Sequence, residues 1–418
     1  MSSNKEMRKA VFLSDTYEWC HWGCNGTSLA LRAMIQSSYQ LIGTVSLGKI
    51  TEFSIGAVQS SAALFLENPS EFELLASAEV IVCNGEGTLH GDGELPWKLL
   101  KLLNLLSSEM GKELVMCNQS VYPNDNALIE SGREFEYYRN CMSAVGYITG
   151  RELRTFEQLQ KLDLNPTLSF DSLPLFLRDG LRYIPSLDKE NIFLVSGSST
   201  WKQSLAKPVA NVLNRLLNDG YKLLFIDGAK ANATQKEYKC FNDIKSYVPE
   251  LQYCFANSLE EWIGLFDKAS GVLTGRYHHL IAAYSAKTPV ILFDGITPRL
   301  QGTCEMLGLP EPIQVDSEDF DANLGIRYNL FRSGELKKQR LSDAEWNALI
   351  DSARKNLPLD VPLDVLSDKM QNLSQLTVRT WVDRLSDRRE MLRFDVKRPK
   401  KSFYDIFRKL GRMVKVAQ

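Results

Sequence analysis

The feature that most constrains this chain is a repeated pattern. A short unbroken apolar run is followed by a polar cluster and then by a stretch with helical spacing. The first series of runs is 10–14 (AVFLS), 79–83 (EVIVC), 113–117 (ELVMC) and 145–149 (VGYIT). The pattern restarts after the polar stretch 178–189 with 191–195 (NIFLV), 221–226 (YKLLFI), 251–254, 271–274 and 289–293 (PVILF). Continuous rather than alternating polarity suits strands covered on both faces, as in a parallel sheet flanked by helices. Helices are expected over about 27–40, 94–110, 201–217 and 259–268. The fold class predicted is α/β: two Rossmann-like halves facing across a cleft, with a C-terminal helical basic tail. The expected boundaries are 1–185, 186–320, a helical connection packing on the body over 321–378, and a basic amphipathic tail over 379–418.

Charge narrows the partners. The net −2 hides 13 Lys+Arg against 5 Asp+Glu beyond residue 378, a surplus of +8, which leaves −10 for the rest. An acidic body repels phosphate backbones, so no nucleic-acid partner is expected. No stretch reaches the roughly 18 uncharged apolar residues of a membrane span. The apolar run near the start is too short for a secretion signal, so a cytoplasmic protein is expected. Eight cysteines are scattered without a CxxC pair. Cys20 and Cys24 with His21 are conceivable metal ligands, but no second pair supports them, and no metal is expected. In the tail, Phe403, Ile406, Phe407, Leu410 and Val414 follow helical spacing beside Arg408, Lys409, Arg412 and Lys415. Two readings stay open: an interfacial helix at an anionic membrane surface, or a final helix packed on the body.

In open parallel sheets, ligands bind beyond the carboxyl ends of the strands, and the polar clusters sit at those ends. Residues 84–92 (NGEGTLHGD) place Glu86, His90 and Asp92 with Thr88 around Gly85 and Gly87, whose bare backbone permits a tight turn close to a ligand. Residues 274–279 (TGRYHH) bring Arg276, His278 and His279 to a helix start: a bidentate anion binder beside a group that moves protons near neutral pH. Arg151 and Glu152 follow VGYIT, Arg151 as a second anion clamp and Glu152 as a helix opener. Residues 19–28 (WCHWGCNGTS) cap a helix through Asn25 or Thr27 and would present amides to an anion. Asp171 and Asp294 are strand-end acids that say little individually.

Taken in order, NGEGTLHGD, NQSVYP (118–123), GREL (150–153), SFDSLPL (169–175) and GRYHHLIAAYSAKTPVILFDG (275–295) resemble the motifs of the polysaccharide pyruvyl transferase family. The resemblance covers roughly residues 10–300. It implies two Rossmann-like domains arranged as in GT-B glycosyltransferases. The implied activity is transfer of a pyruvyl group from phosphoenolpyruvate to sugar hydroxyls of a surface glycan or its lipid-linked precursor, with no cofactor. Arg276 and His278 match the family's Arg-x-His donor-binding pair, and Arg151 its upstream arginine. On this reading Arg151 and Arg276 bind donor, with Gly85, Gly87, Thr88, His90, Asn25 and His279 around it. His278 does acid–base work, with Glu86 or Asp92 as runner-up. Two alternatives remain at this point: a GT-B-like glycosyltransferase moving an ulosonic acid of the Kdo or sialic acid type from a CMP donor, and a non-catalytic glycan-binding protein.

Overall fold

The computed structural model describes residues 7–19, 21–91, 93–123, 132–186, 188–229, 235–358 and 363–386. The strands of the first half are β1 (Lys9–Asp15), β2 (Gln40–Ser46), β3 (Val80–Asn84), β4 (Leu89–His90), β5 (Glu113–Gln119), β6 (Val121–Tyr122), β7 (Tyr147–Gly150) and β8 (Thr167–Leu168). Six of them form a sheet in the order β2-β1-β3-β5-β7-β8, all parallel, while β4 and β6 pair as a separate ribbon. The second half contributes β9 (Glu190–Ser198), β10 (Lys222–Asp227), β11 (Gln252–Phe255), β12 (Ala269–Gly275) and β13 (Val290–Leu292). They form a parallel sheet ordered β11-β10-β9-β12-β13. We call the two halves the first and second lobes.

The unbroken apolar runs became central strands for the reason their composition suggested. Every residue of β3 is buried, and only the first residue of β5 is exposed. In the first lobe, Ile81, Met116, Leu99 and Leu103 pack between sheet and helix; in the second, Phe193, Phe225, Val209 and Leu213 do so. Each such side chain contributes about 1.5–3 kcal/mol on burial. Strand β2 had no expected counterpart. It is an edge strand, mostly half-buried, with Gly43 in its middle, so its hydrophobic signal is diluted.

Helix starts moved more than strands. The helix expected from about residue 27 runs Trp22–Ser38, so Asn25 and Thr27 lie inside it and do not cap it. The glycines that argue against helix here are required by packing. A Cβ at Gly23 would fall inside the His278 side chain, and one at Gly26 would strike Leu173. Tertiary contact outweighs their roughly 1 kcal/mol propensity cost.

Residues Met1–Ser374 form one compact unit and Gln375–Gln418 another. Within the first unit the lobes interlock. The Trp22 amide donates to the Gly228 carbonyl at 3.0 Å, and its indole N–H donates to the Ala256 carbonyl at 3.2 Å. The helical stretch after the second sheet serves both lobes. Helix Phe320–Arg332 buries Leu324 in the second core, while the fully buried Asn356 reaches the first sheet. Its Oδ1 accepts from the Asn118 amide at 2.7 Å, Thr149 Oγ1 at 2.9 Å and Ser169 Oγ at 2.9 Å. Its Nδ2 donates to the Phe170 carbonyl at 2.8 Å and to Ser172 Oγ at 3.0 Å. One amide thus ties the ends of β5, β7 and β8 together. Helix Leu363–Ser386 is the last described element; the expected tail helix at 402–416 lies outside the described residues. No described helix is long and apolar enough to cross a membrane.

Candidate active site

Strand order reverses between β1 and β3 in the first sheet and between β9 and β12 in the second. Those are the positions at which an open parallel sheet leaves a crevice at its carboxyl edge. The turn after β3 carries Glu86, and the end of β12 leads through Arg276 into helix Tyr277–Ser285, which carries His278. The two segments border one cavity of about 240 Å³, which Thr16, Cys24, Gly87, Thr88, Arg151, Tyr277 and Arg299 also line. Backbone geometry at these strand ends is unusual. Ser14 and Asn118 have φ of 58° and 55°, and both occur where the register slips, in β1 and β5. Left-handed non-glycine residues of this kind cluster where a site over-determines the chain.

The centre of the cavity is a contact between lobes. His278 Nε2 lies 3.1 Å from Glu86 Oε1 and 3.7 Å from Asp171 Oδ2. Glu86 is held from behind: its Oε2 accepts from Thr16 Oγ1 at 2.9 Å and from Asn84 Nδ2 at 3.4 Å. Asp171 accepts from the Leu173 amide at 2.9 Å. Burial alone would raise its carboxyl, but the hydrogen bond and charge of His278 and the charge of Arg151 hold it well below the usual carboxylate range. The His278 imidazole of the second lobe therefore sits beside two carboxylates of the first.

The arginines differ in how far they are already engaged. Arg151 is 1% exposed, with Nη1 2.9 Å from Asp171 Oδ2. Its Nε donates to Ser120 Oγ at 2.8 Å, and its guanidinium stacks 4.3 Å from the Tyr277 ring centroid. Arg276 pairs with the buried Glu237. Arg299, the first residue of helix Arg299–Leu307, lines the same cavity, 5.7 Å from the Tyr277 ring.

Of the residues singled out from sequence, Glu86, His278, Arg276, Arg151, Gly87, Thr88 and His279 line the cavity. His279 does so as a packed ring. Its Nδ1 lies 2.9 Å from Ser196 Oγ, Trp262 and Phe266 flank it, and burial, then the Arg276 charge, drives its pKa well below the usual value. It is neutral there and unsuited to an anion. Gly85, His90 and Asn25 are absent from the lining. Gly85 makes room for the Gln119 side chain. His90 Nε2 turns back onto the Gly87 carbonyl at 2.7 Å. Asn25 Nδ2 donates to the Tyr17 carbonyl at 3.0 Å. Gly85 thus gives its space to Gln119, while His90 Nε2 and Asn25 Nδ2 are engaged on nearby carbonyls. Asp92 lies outside the described residues. Glu152 opens its helix as expected, accepting from the Thr155 amide at 3.1 Å, and burial pushes its carboxyl up to about 7 against the pull of those hydrogen bonds and of Arg151. His21, at the cavity wall, is lowered to about 4 by burial and by the charges of Arg276 and His278.

Sequence reasoning missed Glu237, Arg299 and the central position of Asp171. Glu237 and Arg299 stand in ordinary helical sequence, and only their distant contacts mark them. Cys24, Glu86 and His278 offer a thiol, a carboxylate and an imidazole within 4.8 Å of one another, a donor set that suits zinc. The imidazole, however, turns Nε2 to Glu86 and shows Nδ1 to Cys24 Sγ at 3.9 Å. No single nitrogen faces both.

Comparison with known proteins places this geometry. A family model described as polysaccharide pyruvyl transferase matches residues 19–295. No curated protein matches the chain. Among solved structures, Glycyrrhiza uralensis UGT73P12 in complex with glycyrrhetinic acid 3-O-monoglucuronide is similar with a TM-score of 0.50 and 10% identity, over 91% of this chain and 98% of that one. A glycosyltransferase from Rickettsia africae ESF-5 gives 0.48 and 12%, over 92% and 100%. Methanocaldococcus jannaschii UDP-GlcNAc 2-epimerase in complex with UDP-GlcNAc and UDP gives 0.48 and 11%, over 82% and 98%. The two-lobed, GT-B-like α/β architecture expected from sequence is thus the one observed.

Proposed function

The chain belongs to the polysaccharide pyruvyl transferase family, and on that premise we propose that it transfers the pyruvyl group of phosphoenolpyruvate to two hydroxyls of a sugar in a surface glycan or its lipid-linked precursor. In this reaction the donor's C–O bond to phosphate breaks and two C–O bonds to sugar oxygens form. Of the two hydroxyl protons, one ends on the donor's methylene carbon, which becomes methyl, and the other leaves on phosphate. A positioned acid at the methylene carbon contributes about 10²–10⁴-fold.

The observation that carries this reading is the His278–Glu86 contact inside a cavity lined by three guanidiniums. His278 would deliver and recover the proton, with Glu86 fixing its ring. Arg276 would bind the anionic donor; Arg151, already committed to Asp171, would act as fixed positive charge behind Tyr277. The fit is chemical: a small donor with a carboxylate and a phosphate needs cations from both sides, whereas a neutral sugar does not.

Thermal shift with separate donors tests it. Phosphoenolpyruvate should raise the melting temperature of the full chain, and Arg276→Gln should lose that response while keeping its far-ultraviolet circular dichroism. Stabilisation by CMP-linked ulosonic acids alone would move the assignment to glycosyl transfer. Silence towards every donor, with affinity for a glycan retained, would make the protein a glycan binder.

A further inference from the structure

Two of the three arginines at the cavity have their charge answered within their own lobe: Arg151 by Asp171 and Arg276 by Glu237. Arg299 does not. Among the described residues its guanidinium makes no ion pair and no side-chain hydrogen bond, although it is only partly exposed. Its neighbours make matters worse. Arg151 stacks on the same Tyr277 ring, and burial together with the Arg151 charge lowers the pKa of Arg299. A half-desolvated cation beside another cation is costly unless an anion arrives.

The surroundings are shaped to hold that cation in place. Gly87 has φ of 60°, and a Cβ there would lie 3.0 Å from Arg299 Nη1. The first-lobe turn is bare where the second-lobe guanidinium meets it. Arg299 is also the first residue of its nine-residue helix, whose first-turn amides have no intrahelical partner. A guanidinium next to a helix start is a fitting receptor for a tetrahedral oxyanion, which takes several N–H donors at once. Residue 299 falls beyond the stretch matched by the family model, which ends at 295.

We propose that Arg299 is the phosphate subsite of the donor pocket, the group that receives the donor's phosphate and holds it as it leaves. This deepens the donor reading above and rests on it for the identity of the phosphate ester, but the subsite can be tested with inorganic phosphate alone.

Titration calorimetry of the full chain with inorganic phosphate, and separately with pyruvate, makes the test. Phosphate should bind the parent. Arg299→Gln should weaken phosphate about 10- to 100-fold, the worth of a charged hydrogen-bonded contact, and leave pyruvate unchanged. Arg299→Lys, which keeps the charge without the planar fork, should fall between and covers the case in which the glutamine variant misfolds. Unaltered phosphate affinity in both variants, or no phosphate binding by the parent, overturns the subsite. So does a loss confined to pyruvate, which would make Arg299 a carboxylate binder. If phosphate binding depends on Arg299 yet phosphoenolpyruvate is inert, the subsite stands and the donor assignment fails.

Discussion

The two lobes meet the cavity with matching arrangements of opposite sign. Each ties one arginine to one of its own carboxylates, Arg151 to Asp171 in the first and Arg276 to Glu237 in the second. Each then brings one further charged group to the cavity. In the first lobe that group is Glu86, a carboxylate held by Thr16 and Asn84 and facing His278. In the second it is the guanidinium of Arg299. The difference teaches where chemistry divides. The carboxylate that faces His278 comes from one side and the guanidinium of Arg299 from the other, so neither lobe holds the whole set of charged groups. A cavity built in this way is complete only while the interlock at Trp22, Gly228 and Ala256 holds the lobes together.

The largest expected effect breaks the contact between lobes. His278→Ala should lower turnover by about 10²–10⁴ while leaving donor affinity within a few-fold. If His278 and Glu86 act as one unit, the double variant with Glu86→Gln should cost scarcely more than the worse single change. Additive losses in steady-state kinetics would show that the lobes act separately.

A second change leaves every charge in place and disturbs only the fit. Gly23→Ala puts a methyl where the His278 ring stands. Chemical denaturation should show a loss of about 1–3 kcal/mol from overpacking, and turnover should fall with it as the imidazole is displaced. Parent-like activity would mean that the lobes tolerate a looser seam than their packing indicates.

The smallest effect is a pH slope inside the first lobe. Glu152 is pushed up to about 7 in the fold, above its ordinary unfolded value of about 4.3. The folded state therefore binds more protons between those values. Stability contributed by this group is fully present below about 4.3 and is lost as pH rises towards 7. Glu152→Gln keeps an acceptor for the Thr155 amide and should flatten that part of the stability–pH curve, read from denaturation midpoints. An unchanged slope would assign the titration to other groups.

Much of this organisation was legible in the residues. The runs EVIVC and ELVMC became central strands, buried from their second residue on, because a sheet covered on both faces buries adjacent apolar side chains. GRYHH was read as a strand end entering a helix, and it is one. Less legible was anything depending on distant neighbours. His278 and His279 are adjacent and chemically identical, yet one faces Glu86 and the other is packed beside Trp262 and Phe266. Helical periodicity turns consecutive side chains about 100° apart, and only the packed helix shows which direction is the cavity. His90 looked as good a candidate as either, but its loop folds it onto Gly87.

By itself, then, the sequence determined the two parallel α/β lobes and the strand ends at which polar groups gather. Both follow from local patterning of apolar runs, turns and helix starts. Which groups converge was decided by tertiary structure alone. Glu86 and His278 are 192 positions apart, and Asn356 reaches back more than 180 residues to pin three strand ends. Charge pairing, depressed or raised acidity and an arginine without a counterion among the described residues are properties of the space between side chains, and that space comes into being only when the lobes close on each other.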